Sequence, residues 1–296
     1  MSTVAEKITY LNDTKSAIKN ALVARGVSVS NSDTFRSYAD KIGEIGETVV
    51  VEKEITKYGA GINTFLPDVD ENGVLKMVSG GSVDLDFSNV EEVAESALCN
   101  KFLYNSSIKS ANFSSLKKVG LCGFQYAFSC SSIKTANFGQ VTVVDQQGFD
   151  GTFFRTPIES INFDLLEETG ELGFNYTFTE CSMLESTNFN SLRIINNHGM
   201  CCAFLYCEKL RNINFDAVGN IDSYGLSGAF SGCTSLTSIS FPSLTEIDIT
   251  ALVNAFDSCT SLSEIHFRAD MQAIIEATEG YSEKWGASNA TVYFDL

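Results

Sequence analysis

Nine cysteines, two histidines and a wide scatter of acidic residues are the side chains of this 296-residue chain that could carry chemistry. Spacing argues against most of it. His198 and His266 stand 68 positions apart, and no two cysteines follow the C-x-x-C pattern, so a Cys/His zinc site is not organised in the sequence. Cys201 and Cys202 are adjacent, a spacing too tight for an ordinary bridge. Serine is abundant, yet no G-x-S-x-G elbow occurs, and a Ser/His/Asp triad would have to use one of the two isolated histidines. The stretch LEETGELGF brings Glu167, Glu168 and Glu171 close together without singling out the carboxylate pair a glycosidase needs, and it reads as a solvated loop. The glycines of GFDGTF and GAGINTF lack the lysine and the strand–helix context of a phosphate loop. The expectation is a chain that is not an enzyme and holds neither cofactor nor metal.

One polar pattern does recur. Asn112, Asn137, Asn162, Asn188 and Asn214 each precede a phenylalanine, and Ser110, Thr135, Ser160, Ser186 and Asn212 stand two residues before them. Strand alternation places both columns on the side of the chain away from the buried phenylalanine. They form a candidate binding strip of amides and hydroxyls for a glycan or a protein face. A second reading is an asparagine ladder whose amides bond one another along a stack. Beside the strip, Lys109 and Lys134 give way to Glu159 and Glu185, so the charge reverses along the molecule.

The elements that position the strip follow from a repeat. One phenylalanine column, Phe87, Phe113, Phe138, Phe163, Phe189, Phe215, Phe241, Phe267 and Phe294, returns every 25 to 27 residues. Five residues before it stands Ile or Leu (Ile108, Ile133, Ile158, Leu184, Leu210, Leu236, Leu262), and apolar residues follow at three and six positions after it. A second aromatic column is read at Phe128, Phe154, Phe178, Phe204, Phe230 and Phe256. Cys181, Cys207, Cys233 and Cys259 follow it by three residues, with Cys130 and Pro157 as the substitutes in shorter repeats. A single such unit cannot bury its own apolar side, whereas stacked units share a continuous core. Each buried phenylalanine then contributes about 1.5–3 kcal/mol.

The string GAFSGCTSLTSISFPSLTEI (Gly228 to Ile247) resembles the BspA-like family of leucine-rich repeats, found in bacterial surface proteins and mobile-element proteins. The resemblance extends over about 83–268. It implies an α/β repeat solenoid, right-handed and curved or flat, with a parallel sheet along one side, and it does not imply catalysis.

Four segments are expected. Residues 1–46 read as a helical hairpin, from Val4, Ile8, Leu11, Ile18 and Leu22 and then from Phe35, Tyr38, Ile42 and Ile45. The hairpin either joins copies of the chain or packs on the solenoid end. Residues 47–82 read as a β-containing adaptor and N-terminal cap, with strand ETVVVEKEI and a turn at Asn72-Gly73. The solenoid follows over 83–268, and 269–296 form a C-terminal cap with a helix from about Asp270 to Ala277 and a last strand, ATVYFDL. Tyr10 to Ile45 also resembles a helical segment near the start of tail-associated structural proteins of bacteriophages.

The net charge of −17 lies beyond residue 50, since residues 1–50 hold six basic and six acidic side chains. A surface this acidic repels phosphate backbones and argues against nucleic-acid partners. There is no apolar run of the roughly 18 residues a membrane span needs, and no secretory signal, which points to a soluble chain made in a cytoplasm. Together these readings give a structural and binding protein of a bacteriophage tail, baseplate or appendage. It would be attached to other virion proteins through residues 1–46, with the solenoid turned toward a host surface protein or glycan. The alternative is a bacterial BspA-like interaction or adhesion module, in the cytoplasm or at the cell surface.

Overall fold

The computed structural model describes residues 57–58, 83–88, 90–277 and 279–296. The hairpin expected over 1–46 lies outside the described residues. So does the adaptor over 47–82, apart from a two-residue strand, β1 (Lys57–Tyr58), which pairs in parallel with Glu92–Val93.

Most coils from Val83 onward lay down a longer strand, a two-residue strand and a run of turns, and the coil of Ser160–Asn162 has a single bridge at Glu168 in place of the short strand. The longer strands form a parallel ladder through Val83–Asp86, Ile108–Asn112, Thr135–Asn137, Ser160–Asn162, Ser186–Asn188 and Asn212–Asn214. A second group, Ser238–Phe241, Glu264–Phe267 and Thr291–Phe294, follows in the next coils. The short strands stack likewise, from Glu92–Val93 through Lys118–Val119 to Val143–Val144, and from Ile194–Ile195 through Asn220–Ile221 to Glu246–Ile247.

The third side is not helical. Its N–H groups are used alternately within a turn and between coils. In one coil Gly123 N donates to Gly120 O (2.9 Å) and Ala127 N to Phe124 O (2.8 Å), while Phe124, Tyr126 and Phe128 donate to Gly148 O, Asp150 O and Thr152 O of the next coil. A helix would spend all of these donors on itself. The ribbon keeps half of them for its neighbour, so it stacks at the same spacing as the strands. Its turns need a left-handed residue every fourth position, as at Cys122, Tyr126 and Cys130 (φ 52°, 51° and 55°). Helix among the described residues is confined to the C-terminal end. There a 3₁₀ turn (Ala269–Met271) leads into α1 (Gln272–Glu276), and α2 (Tyr281–Lys284) follows, so the predicted helix at Asp270–Ala277 is present in shortened form.

The core is an aromatic stack. In the first column, rings from Phe87 to Phe294 lie 4.8 to 6.3 Å from their counterparts in the next coil. The second column begins at Phe102 and passes through Phe128, Phe153, Phe178, Phe204, Phe230 and Phe256. The member between Phe128 and Phe178 is thus Phe153, not Phe154. Phe154 is half-buried under Arg155, whose guanidinium sits 4.9 Å from its ring. The doublet Phe153-Phe154 makes the register ambiguous in sequence, and the inter-coil bond from Phe128 N to Thr152 O resolves it. A third column, Phe124, Phe149 and Phe174, escaped the sequence reading; its rings meet the first column edge-on at 73° to 90°.

The cysteine column shifts with it. Cys181, Cys207, Cys233 and Cys259 are buried, but Ser131 and Thr156 are the substitutes, rather than Cys130 and Pro157. Its cysteines and Thr156 supply a donor as well as a small volume. Each cysteine Sγ–H reaches a phenylalanine carbonyl of the preceding coil (Phe153, Phe178, Phe204 and Phe230) at 2.9 to 3.1 Å. Thr156 Oγ1 donates to Phe153 O at 2.9 Å. Proline lacks such a group. Burial holds the Cys181 thiol up at about 12 and the Cys259 thiol at about 11, so both stay protonated.

Candidate functional site on the open sheet face

The strip residues come together as alternation requires. Ser160 stands opposite Ser186, Asn162 opposite Asn188, Asn212 opposite Ser186 and Asn214 opposite Asn188. Ser110 and Asn112 likewise face Thr135 and Asn137. Between the two columns, Ala111, Ile161 and Thr187 point inward and are buried. Thr135, Asn137, Ser160, Asn162, Ser186, Asn188 and Asn212 are exposed, while Ser110, Asn112 and Asn214 are half-buried.

The asparagine ladder does not form. Among the described residues no hydrogen bond links Asn137, Asn162 and Asn188. The column has a local task instead. The Oδ1 atoms of Asn112, Asn137 and Asn214 accept the backbone N–H two residues on, at 3.1, 3.2 and 2.7 Å. These are Asx turns that bend the chain out of its strand. Asp86 does the same for Ser88 (2.9 Å), so position in the coil rather than the amide itself selects the side-chain oxygen.

Occupation differs along the strip. At the early end Ser110 Oγ donates to Asp84 (2.6 Å), and Asn112 Nδ2 to Asp86 (3.3 Å). At the late end Asn214 Nδ2 reaches Asn190 (3.2 Å). Beyond it His266 stacks on Tyr293 at 4.8 Å and lies 2.9 Å from Asp295 and 3.5 Å from Glu264. The hydrogen bond to Asp295 chiefly raises its pKa. In the central coils the hydroxyls of Thr135, Ser160 and Ser186 and the amide donors of Asn137, Asn162 and Asn188 have no partner among the described residues. These groups are free to bond a ligand. The flanking charge reversal is a bridge, with Lys134 Nζ 3.1 Å from Glu159.

Other chemistry is scattered. Among the described residues no group of three or more metal-ligating side chains converges. His198 stacks on Tyr224 at 5.0 Å, away from His266. Asp150 is buried and accepts from Gln125 (3.0 Å) and Asn175 (3.0 Å) of its two neighbouring coils. Burial nevertheless raises its pKa. A shallow cleft between the last coil and the C-terminal cap is lined by Asp257, Ser258, Glu283 and Asn289. Sequence reasoning also missed five exposed tyrosines on the turn side: Tyr104, Tyr126, Tyr176, Tyr206 and Tyr224. The signal was there, in YAF and YTF, where tyrosine precedes the small–Phe pair.

The described coils form a leucine-rich repeat solenoid, a scaffold suited to protein–protein binding. Residues 173–278 match the family model described as BspA type leucine rich repeat region, in six copies. The leucine-rich repeat protein of T. pallidum, known from a crystal structure, is similar at 18% identity, with 75% of this chain and 91% of that chain covered and a TM-score of 0.41. No curated protein matches the chain. No helix of the described residues is long and apolar enough to cross a membrane.

Proposed function

We propose that the solenoid is a non-enzymatic recognition surface that takes a protein partner on its open sheet face. The observation that carries this reading is the row of unpartnered hydroxyls and amide donors in the central coils, on Thr135, Asn137, Ser160, Asn162, Ser186 and Asn188, held in register on a rigid sheet. Outward amides and hydroxyls on a rigid ladder can bond a partner with little ordering of their own. A glycan is the second ligand class that the same donors fit.

The finer setting we infer is a bacteriophage particle, with residues 1–46 joining the chain to other virion proteins or to further copies of itself. The likeness of Tyr10–Ile45 to tail-associated proteins supports it. A bacterial BspA-like interaction or adhesion module is the competing setting.

A photo-crosslinking residue at Asn162, compared with one at Tyr104 on the turn side, tests the face. Protein adducts from position 162 are expected; adducts from position 104 alone would remove the open-face reading. Mass spectrometry of density-purified particles from the source culture tests the setting. Peptides of this chain at the abundance of known structural proteins are expected, and recovery only in the cell fraction would leave the bacterial module.

A further inference from the structure

The nine cysteines divide by environment. Cys181, Cys207, Cys233 and Cys259 are buried, while Cys99, Cys122, Cys130, Cys201 and Cys202 are half-buried on the turn side. Within the second set Cys99 and Cys122 each point at a glutamine oxygen of the next coil. Cys201 and Cys202 point at each other, with Sγ atoms 3.9 Å apart.

Neighbouring side chains on a strand would diverge to opposite faces. Here the left-handed backbone of Cys202 (φ 52°) lets both thiols share one side. The Cys201 S–H is directed at the Cys202 sulfur. Gly228 of the next coil packs beside it, where a Cβ would lie 3.0 Å from Cys202 Sγ, so glycine is what leaves room for the sulfur. Cys202 thus has a thiol beside it whose S–H is aimed at its sulfur, and both side chains are only half-buried. The Cys201 donor first, and Tyr176 after it, bring the Cys202 pKa down to about 7 against the effect of burial, while Cys201 is pushed up.

We propose that Cys202 is a peroxide-reactive thiolate and Cys201 its resolving thiol, a reversible two-sulfur switch on the turn side of the solenoid. The Cys202 thiolate attacks a hydroperoxide oxygen, the O–O bond breaks, and the departing alkoxide or hydroxide takes a proton from water. Sulfur is oxidised to sulfenic acid, and the hydroperoxide is reduced to alcohol or water. Cys201 then loses its proton to solvent and attacks the Cys202 sulfur; the S–O bond breaks and hydroxide leaves as water. The product is an S–S bond between adjacent residues. Their Cα atoms, about 3.8 Å apart, lie closer than the usual disulfide range of about 4.4–6.8 Å, so the bond is strained and readily reduced. Low thiol pKa, access and a resolving neighbour are the features of redox-sensing cysteines generally.

The test uses the reduced full-length chain, hydrogen peroxide and a dimedone trap for sulfenic acid, read by peptide mass spectrometry. At pH 7 about half of Cys202 is thiolate, against a few per cent of an ordinary cysteine; the weaker nucleophilicity of the less basic thiolate reduces that advantage to about fivefold. Cys202 should therefore label about fivefold faster than Cys122 or Cys130. Without the trap, the chain should lose two hydrogens, link Cys201 to Cys202 and return to its starting mass with dithiothreitol. In Cys201→Ser the label at Cys202 should persist while the two-hydrogen loss disappears. In Cys202→Ser and Cys202→Ala both should vanish from this pair. Tyr176→Phe leaves both sulfurs in place and should slow labelling at Cys202 while that at Cys130 is unchanged. Labelling of Cys202 no faster than Cys122 and Cys130 would overturn the proposal, as would oxidation that never links the pair or a Tyr176→Phe chain that labels at the parental rate.

Discussion

The open sheet face and the turn side are built from the same coils and the same inter-coil spacing, yet they treat backbone and side chain in opposite ways. On the sheet side the backbone is ordinary strand, and the hydroxyls of Thr135, Ser160 and Ser186 and the amide donors of Asn137, Asn162 and Asn188 have no partner among the described residues. On the turn side 17 non-glycine residues among those described hold a left-handed backbone, a conformation costing about 1–2 kcal/mol each outside glycine. It persists because the phenylalanines beside these residues are buried and the alternate N–H groups are paired between coils. Regular strand leaves its outward positions open to change, whereas the ribbon of turns constrains its small residues tightly. The two sides should therefore respond very differently to the same kind of substitution.

The widest contrast is expected between two glycines. A Cβ on Gly173, in the turn ribbon, would fall 1.7 Å from Thr169 O, while one on Gly139, just past a strand, meets nothing nearer than 3.6 Å. Gly173→Ala should cost about 3 kcal/mol or more. Gly139→Ala should be neutral or gain about 0.4–1 kcal/mol by stiffening the unfolded chain. Urea unfolding of the two variants compares them directly, and equal losses would erase the contrast between the sides.

Next in size is Thr187, whose Oγ1 is buried without a hydrogen-bond partner at an inward position filled elsewhere by Ala111 or Ile161. Thr187→Val should stabilise by about 1 kcal/mol, since an orphaned buried hydroxyl costs about 1–3 kcal/mol. A loss of stability on urea unfolding would mean that the hydroxyl bonds a group not seen here.

On the turn side Ser258 (φ 59°, exposed) occupies the place that the preceding coil gives to Gly232 (φ 75°). Ser258→Gly should therefore gain up to about 1 kcal/mol. A thermal melt showing no gain would mean that the left-handed turns carry less strain than their backbone angles suggest.

Two smaller effects depend on pH. The raised pKa of Asp150 means that the folded state holds its proton more tightly than the unfolded chain does. Its contribution is complete below the unfolded carboxylate pKa of about 3.9. It is lost as pH rises through the folded value. Asp150→Asn should flatten the stability profile over that interval, and an unchanged slope of melting temperature against pH would exclude Asp150 as its source. His266 follows the same sign, with stability present below about pH 6.5 and lost as pH rises through its raised folded value. Its carboxylate partners are exposed to solvent, so the effect should stay below about 0.5 kcal/mol. His266→Gln should melt slightly lower than the parent at pH 5.5 and equally at pH 8.5.

Much of this architecture was legible in the residues. The phenylalanine column and the apolar positions around it establish the repeat, because a solenoid writes one coil's burial pattern again and again. Alternation then places Asn137, Asn162 and Asn188 on the outer side without any knowledge of the third dimension. Where the pattern offers two registers, the sequence cannot choose. Phe153 and Phe154 are adjacent and alike, and only the bond from Phe128 N to Thr152 O shows which ring faces the core. The use of each asparagine was equally hidden. A ladder and an Asx turn draw on the same residue type, and the closeness of Oδ1 to the N–H two residues on decides between them. The pairing of Cys201 with Cys202 and the approach of Tyr176 also depend on a left-handed backbone that no local preference of cysteine or tyrosine announces. The sequence by itself determined the period, the buried column and the outward strip, because burial is periodic. The tertiary structure alone decided hydrogen-bond partners and the sign of φ, because those depend on the neighbouring coil some 25 residues away.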